Sequence, residues 1–163
     1  MTPPRRESEQ DTAGVVLPPP LVYLGGIALG LAFDWLLDLP PLPERDAAGG
    51  FWLGVAIGVC GLLLVLWAGG HFVRAGTPLP PHRPTSALVS EGPYRRSRNP
   101  IYLGMALIYI GVVCATASTG VLLLFPAVIA VMEFGVIRRE ERYLEGKFGD
   151  SYRAYKARVR RWL

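Results

Sequence analysis

The stretch IYLGMALIYIGVVCATASTGVLLLFPAVIAVMEFGVI, residues 101–137, contains two apolar runs separated by the small polar turn Ser118-Thr119-Gly120. A helix that crosses the hydrocarbon core of a bilayer needs about 20 apolar residues. The runs 101–117 and 121–137 are slightly shorter, so we predict two membrane helices joined as a tight hairpin whose tip barely leaves the lipid. The apolar residues form blocks and are not spaced along one face, which favours a membrane protein over a soluble helical protein.

Two further apolar blocks precede this hairpin. Residues 21–39 are interrupted only by Asp34 and Asp38, and residues 51–73 contain no charge before His71. The chain has 163 residues, of which 51% are hydrophobic, with 19 Gly and 15 Pro. This composition excludes a simple coiled coil and wholesale disorder. We therefore predict an all-α membrane protein with four transmembrane helices, at about 21–39, 51–73, 101–117 and 121–137.

The N-terminal residues 1–16 mix charge, Pro and Ser with little apolar content, which predicts a disordered leader. The leader is rich in proline and no small-residue cleavage site follows the first apolar block, so we do not interpret that block as a signal peptide. Pro18-Pro19-Pro20 suits the start of the first helix, where missing amide donors cost nothing. The rest of the chain, 17–163, is predicted to be a single domain.

The basic residues predict the orientation in the membrane. If the N-terminus is cytoplasmic, every Lys and Arg except Arg45 lies on the cytoplasmic side. Such a bias is typical of membrane proteins, so we predict that both termini are cytoplasmic. The composition, heavy in Ala, Arg, Gly and Pro, indicates a bacterial source with a GC-rich genome, so the predicted location is the bacterial inner membrane. The net charge of +4 is then explained by contact with anionic membrane lipids, without nucleic acid.

Glycines recur at a spacing of four in the first two apolar blocks, at Gly26 and Gly30 and at Gly54 and Gly58. This pattern favours close packing of helices within one bundle, and a homodimer through the glycine-rich faces is the alternative. His71 and His82 lack Cys, Asp or Glu neighbours at ligand spacing, so no metal site is predicted.

The segments between and after the apolar blocks carry the remaining polar residues. The proline-rich loop 74–99 is about 26 residues long, and loops of that length without secondary structure tend to be functional. We predict that it forms a stiff, ordered cap. The fourth helix continues beyond the membrane to Lys147, and Gly149 is a suitable terminator.

Acidic and aromatic residues follow helical spacing in this C-terminal part. Glu133, Glu140 and Glu141 fall at i, i+7 and i+8 and are predicted to share one helix face. Glu133 is interpreted either as a functional carboxylate within the membrane or as part of a salt-bridge cluster that joins the tail to the loop. A second helix at about 151–160, with Tyr152 and Tyr155 on one face, is predicted to lie on lipid headgroups.

Several common site motifs are absent from the sequence. It contains no G-x-S-x-G and no G-x-x-x-x-G-K. No G-x-G-x-x-G follows a strand, so a Rossmann-type nucleotide site is not predicted.

Two segments carry a family resemblance. TSALVSEGPY (85–94) followed by RNPIYLG (98–104), and REERYL (139–144) followed by FGDSY (148–152), resemble the motifs of the isoprenylcysteine carboxyl methyltransferase and phospholipid methyltransferase superfamily. Together they span about half of the chain. Asn99 stands where the carboxyl methyltransferases usually have His, so a catalytic role that depends on His is not carried over.

This resemblance implies S-adenosylmethionine as methyl donor, bound between the loop and the cytoplasmic extensions of the last helices. The cofactor-binding residues that it implies are Gly92, Pro93, Tyr94, Asn99, Tyr102, Glu140 and Glu141. The acceptor is expected to be lipophilic and to enter from the bilayer.

A carboxylate acceptor is favoured, with Arg98, and with Arg139 or its neighbour Arg138, as the catalytic residues that hold it. For an amine acceptor the positive charge of these arginines has the wrong sign, and Glu133 becomes the catalytic candidate. The alternatives are therefore phospholipid or aminolipid N-methylation and a non-catalytic membrane scaffold of the same fold.

Overall fold

The structure, a computed structural model, describes residues 13–43, 47–76 and 85–163. The first 12 residues of the predicted leader, together with Arg45 and His82, lie outside the described residues. The described part is helical, and its only β pairing is an isolated bridge between Ser97 and Arg160. The predicted all-α fold class is confirmed.

Five α-helices make up this part of the chain. They are α1 (Pro19–Leu37), α2 (Ala47–Arg74), α3 (Pro100–Thr116), α4 (Thr119–Met132) and α5 (Arg138–Arg158). A 3₁₀ turn, Gly92–Arg95, precedes α3, and a π-helical turn, Glu133–Ile137, joins α4 to α5. Three helical segments are long and apolar enough to cross a membrane, and α3 is a shorter apolar helix of 17 residues. Three to four helices are thus compatible with membrane spans.

The hairpin between α3 and α4 is held by polar contacts at its tip. The Ser118 side chain caps α4 by accepting a hydrogen bond from the Val121 amide at 3.0 Å, a typical N-cap contact. Asp34 of α1 accepts hydrogen bonds from the Ser118 hydroxyl and, at 2.6 Å, from the Gly120 amide. This end of the bundle is therefore tied together across α1 and the hairpin.

The helices pack as two antiparallel pairs, α2 with α3 and α1 with α4, and glycines line both contacts. A Cβ atom on Gly104 of α3 would lie 2.7 Å from the Gly61 carbonyl oxygen of α2. A Cβ on Gly30 of α1 would lie 2.5 Å from the Val121 Cα. Backbones this close leave no room for a side chain. Gly26 and Gly54 also face neighbouring helices of the same chain, while a homodimer through glycine-rich faces stays a prediction.

Buried tyrosines connect the two helix pairs. The Tyr109 hydroxyl of α3 donates a hydrogen bond to the Val121 carbonyl of α4 at 2.7 Å. The Tyr23 hydroxyl of α1 donates to the Tyr102 carbonyl at 3.1 Å. Because these hydroxyls are satisfied inside the bundle, their rings fill the core without leaving a polar group unpaired. The second bond also fixes the start of α3.

Polar segments cover the end of the bundle where α2 and α4 finish and α1 and α3 begin. We call them the cap, defined as residues 85–99, α5 and the C-terminal residues 159–163. Gly149 interrupts α5 with φ 50° and ψ −122°, a conformation that suits glycine, and the second half of α5 turns back over the loop.

The aromatic face of the second half of α5 points into the protein. Tyr152, Tyr155 and Val159 are buried and pack on Leu88, Leu144 and Phe148. The prediction that this stripe faces headgroups is therefore wrong for the two tyrosines. The bend at Gly149 brings the stripe onto the loop, where it covers apolar side chains that would otherwise be exposed.

The last residues of the predicted leader contact the junction of α4 and α5. The Val16 amide donates a hydrogen bond to the Gly135 carbonyl at 3.3 Å. The Arg139 Nη1 donates to the Gly14 carbonyl at 3.0 Å. Residues 13–16 are thus held against α5, because the π-helical turn and Arg139 offer partners for their backbone.

Candidate functional site

A cavity lies inside the cap, between the loop, the start of α3 and α5. Its interior volume is about 110 Å³, and it is partly open to solvent. Apolar residues of the loop, including Leu88 and Val89, form one wall. The polar and aromatic lining consists of Phe72, Thr85, Tyr94, Arg98, Asn99, Tyr102, Glu140, Glu141, Tyr143, Tyr152 and Tyr155.

The 3₁₀ turn positions Tyr94 at this cavity. Its carbonyl accepts a hydrogen bond from the Tyr155 hydroxyl at 2.8 Å, which ties the turn to α5. Gly92 has φ 57° and approaches His71 of α2 so closely that a Cβ would lie 2.5 Å from the His71 Cε1. Gly92 and Pro93, predicted to contact the cofactor, are not among the described residues that line the cavity. They shape the turn that carries Tyr94.

Glu140 reaches into the cavity and pairs with Tyr102. The Tyr102 hydroxyl donates a hydrogen bond to the Glu140 Oε1 at 2.5 Å. Burial raises the pKa of Glu140 to about 7, against the opposing effect of the Tyr102 hydrogen bond and with a smaller contribution from the Glu141 charge. Because that pKa lies near neutrality, Glu140 can both hold and release a proton at physiological pH.

Glu141 lies on a different side of α5 and is shared by two arginines. Its Oε1 is 3.2 Å from the Arg98 Nη2. Arg161 donates to both oxygens, from Nη2 at 2.7 Å and from Nε at 3.0 Å. The Arg161 Nη1 also donates to the Glu133 Oε1 at 2.5 Å, and the same oxygen accepts from the Arg138 Nε at 3.0 Å.

These contacts form the salt-bridge cluster that the sequence left as one of two interpretations of Glu133. We name it the arginine cluster: Arg98, Glu133, Arg138, Glu141 and Arg161. The hydrogen bond to Glu141 raises the pKa of Arg161, so this guanidinium stays charged. The cluster joins the loop, the end of the membrane helix and the C-terminus.

The predicted common face of the three acidic residues is wrong for Glu140. A π turn holds one more residue than an α turn, so every position after Glu133–Ile137 is rotated by about one residue. Glu133 and Glu141 therefore meet at the same arginine, while Glu140 points away from them to Tyr102.

Arg98 is the least satisfied member of the arginine cluster. Only 9% of its side chain is exposed. Its Nε and Nη1 are buried and have no hydrogen-bond partner among the described residues. Buried donors nearly always have a partner, and Arg98 lines the cavity. The two nitrogens are therefore suited to bind an anionic group.

Asn99, which stands in the place of the family's His, holds the C-terminus. Its Nδ2 donates a hydrogen bond to the Arg161 carbonyl at 3.0 Å. The Ser97 hydroxyl donates to the same carbonyl at 3.3 Å, and the Arg98 amide donates to the Arg160 carbonyl at 2.9 Å. The C-terminal segment is thus a structural part of the site, and a contact of Asn99 with a cofactor stays a prediction.

The other two residues predicted to be catalytic lie away from the cavity lining. Arg139 is exposed and bonds to Gly14, and Glu133 belongs to the arginine cluster. Tyr152, Tyr155 and Arg161 are not among the predicted site residues. The spacing of the two tyrosines is visible in the sequence, but spacing does not tell whether an aromatic face meets lipid or protein.

The apolar helices are compatible with membrane spans, and a cavity with a partly polar lining lies at one end of them. The family profile described as phospholipid methyltransferase matches residues 50–151, which include most of α2 and the whole loop, α3 and α4. The chain therefore belongs to the phospholipid methyltransferase family, a family of integral membrane methyltransferases. The resemblance found in the sequence is confirmed.

Two curated relatives were found. An uncharacterized protein of Haemophilus influenzae is 44% identical over 63 residues, which is 39% of this chain and 79% of the relative. Methanethiol S-methyltransferase 1 of Bradyrhizobium diazoefficiens is 44% identical over 66 residues, which is 40% of this chain and 22% of the relative. The matched region thus spans about a fifth of that enzyme. No solved structure gives a significant match.

Proposed function

We propose that this protein transfers a methyl group from S-adenosylmethionine to a lipophilic acceptor in the cavity of the cap. The observation that carries the proposal is the position of a cavity lined by carboxylates, an arginine and tyrosines at the end of a membrane bundle in a chain of this family. Such a position gives a polar donor access from water and a lipophilic acceptor access from the bilayer.

The residues of the cavity fit the chemistry of this donor. Tyrosine rings such as Tyr94 and Tyr152 offer faces for adenine or for a cation. Glu140, which is not part of the arginine cluster, supplies carboxylate oxygens that accept hydrogen bonds from ribose hydroxyls or an ammonium group. The unpaired nitrogens of Arg98 suit a carboxylate. Each polar part of the donor thus has a partner of the right type.

When bound, the donor supplies an electrophilic methyl group on a sulfonium sulfur. The contribution of the protein is to align acceptor and donor and to exclude water, which accounts for much of the acceleration in such transfers. Tyr152 and Tyr155 of α5 pack on Leu88 of the loop, and all three side chains line the cavity. This contact closes the cavity where α5 meets the loop.

The expectation of a carboxylate acceptor relied on Arg98 together with Arg139 or Arg138. Arg139 is engaged by the N-terminal segment and Arg138 pairs with Glu133, so that expectation now depends on Arg98 alone. A second candidate is an acceptor that loses a proton, such as a thiol or an amine. Glu140 favours it, because a buried carboxyl in the cavity with a pKa near 7 is suited to receive that proton. The family description and the named relative agree with this class.

The test is transfer of a radiolabelled methyl group from S-adenosylmethionine into a total lipid extract by the purified protein. We expect labelled lipid with the wild type and a strong reduction with Glu140→Gln. Glu145→Gln is the matched control, since Glu145 pairs with Lys156 at the surface. Base treatment separates the acceptors, because a methyl ester hydrolyses and an N-methyl or thioether group does not. If the protein neither binds the donor nor transfers its methyl group, the remaining hypothesis is a non-catalytic membrane scaffold of the same fold.

The orientation of the cap is part of the proposal. The described Lys and Arg residues lie in the cap or at the helix ends beside it, which supports a cytoplasmic cap and a location in a bacterial inner membrane. Fusion of reporter domains to the C-terminus would test it: a cytoplasmic reporter should be active and a periplasmic one inactive.

A further inference from the structure

We propose that Arg98 binds the carboxylate of the amino-acid part of the methyl donor, and that Arg161 is the residue that positions Arg98 for it. This inference rests on the proposed function, since it assigns one part of the same cavity. It differs from the sequence expectation, in which Arg98 holds the acceptor.

The hydrogen bonding of Arg98 is incomplete. The Nη2 pairs with Glu141 at 3.2 Å, while Nε and Nη1 have no partner among the described residues although both are buried. A guanidinium with free donors is suited to carboxylate recognition, since bonds between two charged groups are the strong ones. A neutral ligand group would leave the positive charge of the Arg98 guanidinium only partly compensated.

The charges around Arg98 are also unbalanced. The arginine cluster contains three guanidinium groups and two carboxylates, and Arg138 and Arg161 share Glu133 while Arg161 also takes both oxygens of Glu141. One positive charge is therefore left over. Because Arg98 holds the free donors, a carboxylate placed there completes both the bonding and the charge.

Arg98 lies on the polar side of the cavity. It comes before Pro100, where α3 begins, and Tyr102 with its partner Glu140 lies farther along that helix. The backbone of Arg98 is bonded to the C-terminal segment of the cap. The amino-acid part is the most polar part of the donor, whereas a lipophilic acceptor approaches from the bilayer. The position of Arg98 therefore suits the donor better than the acceptor.

Arg161 positions Arg98 through two routes. Its side chain holds Glu141, which leaves Oε1 directed to the Arg98 Nη2. Its carbonyl accepts hydrogen bonds from Asn99 and Ser97, the residues on either side of Arg98. The guanidinium is therefore held by both its side-chain partner and its backbone neighbours.

The experiment measures binding to the purified full-length protein in detergent by calorimetry with two ligands. S-adenosylhomocysteine carries the carboxylate, and S-adenosyl-3-thiopropylamine is identical except that it lacks the carboxylate. We expect the wild type to bind S-adenosylhomocysteine roughly 10- to 100-fold more tightly, the range expected for a hydrogen bond to a charged group. Arg98→Met should remove this preference and leave the affinity for the decarboxylated analogue within about twofold.

The role of Arg161 is tested with the same pair of ligands. Arg161→Met should reduce the preference for the carboxylate by about fivefold or more, and Arg161→Lys should recover part of it, since the charge beside Glu141 is kept. Arg96→Met is the matched control, because Arg96 is exposed and is not among the residues that line the cavity. If Arg161 had a purely structural role, Arg161→Met would reduce the affinity for both ligands equally.

The outcomes separate the inference from the proposed function. Equal affinity of the wild type for both ligands, or a preference that survives Arg98→Met, would overturn the inference while donor binding itself stands. Arg98→Gln, which removes the cation but keeps a hydrogen-bond donor beside Glu141, gives the same comparison if the Met variant does not fold. If the wild type binds neither ligand, the proposed function fails.

Discussion

The bundle and the cap of this protein are stabilised in different ways. In the bundle, helices approach through glycines, as at Gly61 and Gly104, and the buried side chains are mostly apolar. In the cap, the loop, α5 and the C-terminus are joined by ion pairs and hydrogen bonds around Glu141 and Arg161. Substitutions that add side-chain volume at the glycines should therefore destabilise the bundle, and substitutions that remove a charge should destabilise the cap.

The largest effect is expected from Glu141→Ala. It leaves Arg98 buried without its partner and removes the main contact of Arg161. Breaking a buried pair in this way typically costs about 3–5 kcal/mol, so the cap should unfold at a much lower temperature than in the wild type. Thermal unfolding followed by tyrosine fluorescence in detergent measures this.

Glu145→Ala provides the comparison for that substitution. Its pair with Lys156 is more than one-third exposed on both sides, and such pairs contribute about 0–1 kcal/mol. Equal destabilisation by the two substitutions would contradict the distinction between a charge-stabilised cap and its surface.

Gly104→Val tests the bundle. The new side chain meets the Gly61 carbonyl of α2, and overpacking of this kind costs about 1–3 kcal/mol. Gly70→Val is the control, because a Cβ at Gly70 has no atom within 4 Å. The thermal midpoints of both variants should be compared in the same detergent. If Gly70→Val were as destabilising as Gly104→Val, close helix packing would not be the cause.

A pH dependence is expected from Glu140 in the cap. Burial raises its folded pKa to about 7 from an ordinary value of 4.5, so the folded protein holds a proton that the unfolded chain has lost. The free energy of unfolding is then highest below about pH 4.5 and decreases as the pH rises to about 7, by on the order of 3 kcal/mol. The neighbouring Tyr94 keeps its proton in this range, since burial raises its pKa.

Thermal midpoints between pH 5 and pH 8 measure this dependence. The thermal midpoint of Glu140→Gln should vary less over this pH range, because the glutamine side chain cannot ionise. A wild type that becomes more stable between pH 6 and pH 8 would contradict a raised pKa of Glu140.

The smallest effect is expected from Arg139→Met. Its hydrogen bond to Gly14 is exposed, so the cost in stability should be below about 1 kcal/mol. Methyl transfer into lipid should stay within about threefold of the wild type. A loss of a hundredfold or more with unchanged folding would restore the catalytic role that the sequence suggested for this residue.

The bundle was predictable because apolar length and glycine spacing report directly on membrane helices and their packing. The predicted spans 21–39 and 101–117 lie within two residues of α1 and α3 at each end. The cap was less predictable. A π turn between Glu133 and Ile137 changes the phase of the helix, and no local residue pattern announces it.

The site was predictable as a set of segments and not as a set of contacts. The two motifs do meet at one cavity, and Tyr94, Arg98, Asn99, Tyr102, Glu140 and Glu141 line it. The partner of each side chain depends on the bend at Gly149 and on the C-terminal segment. These long-range contacts decide that Asn99 bonds to Arg161 and that Tyr155 faces Tyr94.

The proposed function depends above all on whether the cavity of the cap holds the methyl donor. Photo-crosslinking of the purified protein with radiolabelled S-adenosylmethionine, followed by mapping of the labelled peptides, answers this. We predict label within residues 85–102 or 138–155, abolished by excess S-adenosylhomocysteine. Competed label on peptides from α1 or from the first half of α2 alone would place the donor elsewhere and contradict the proposal.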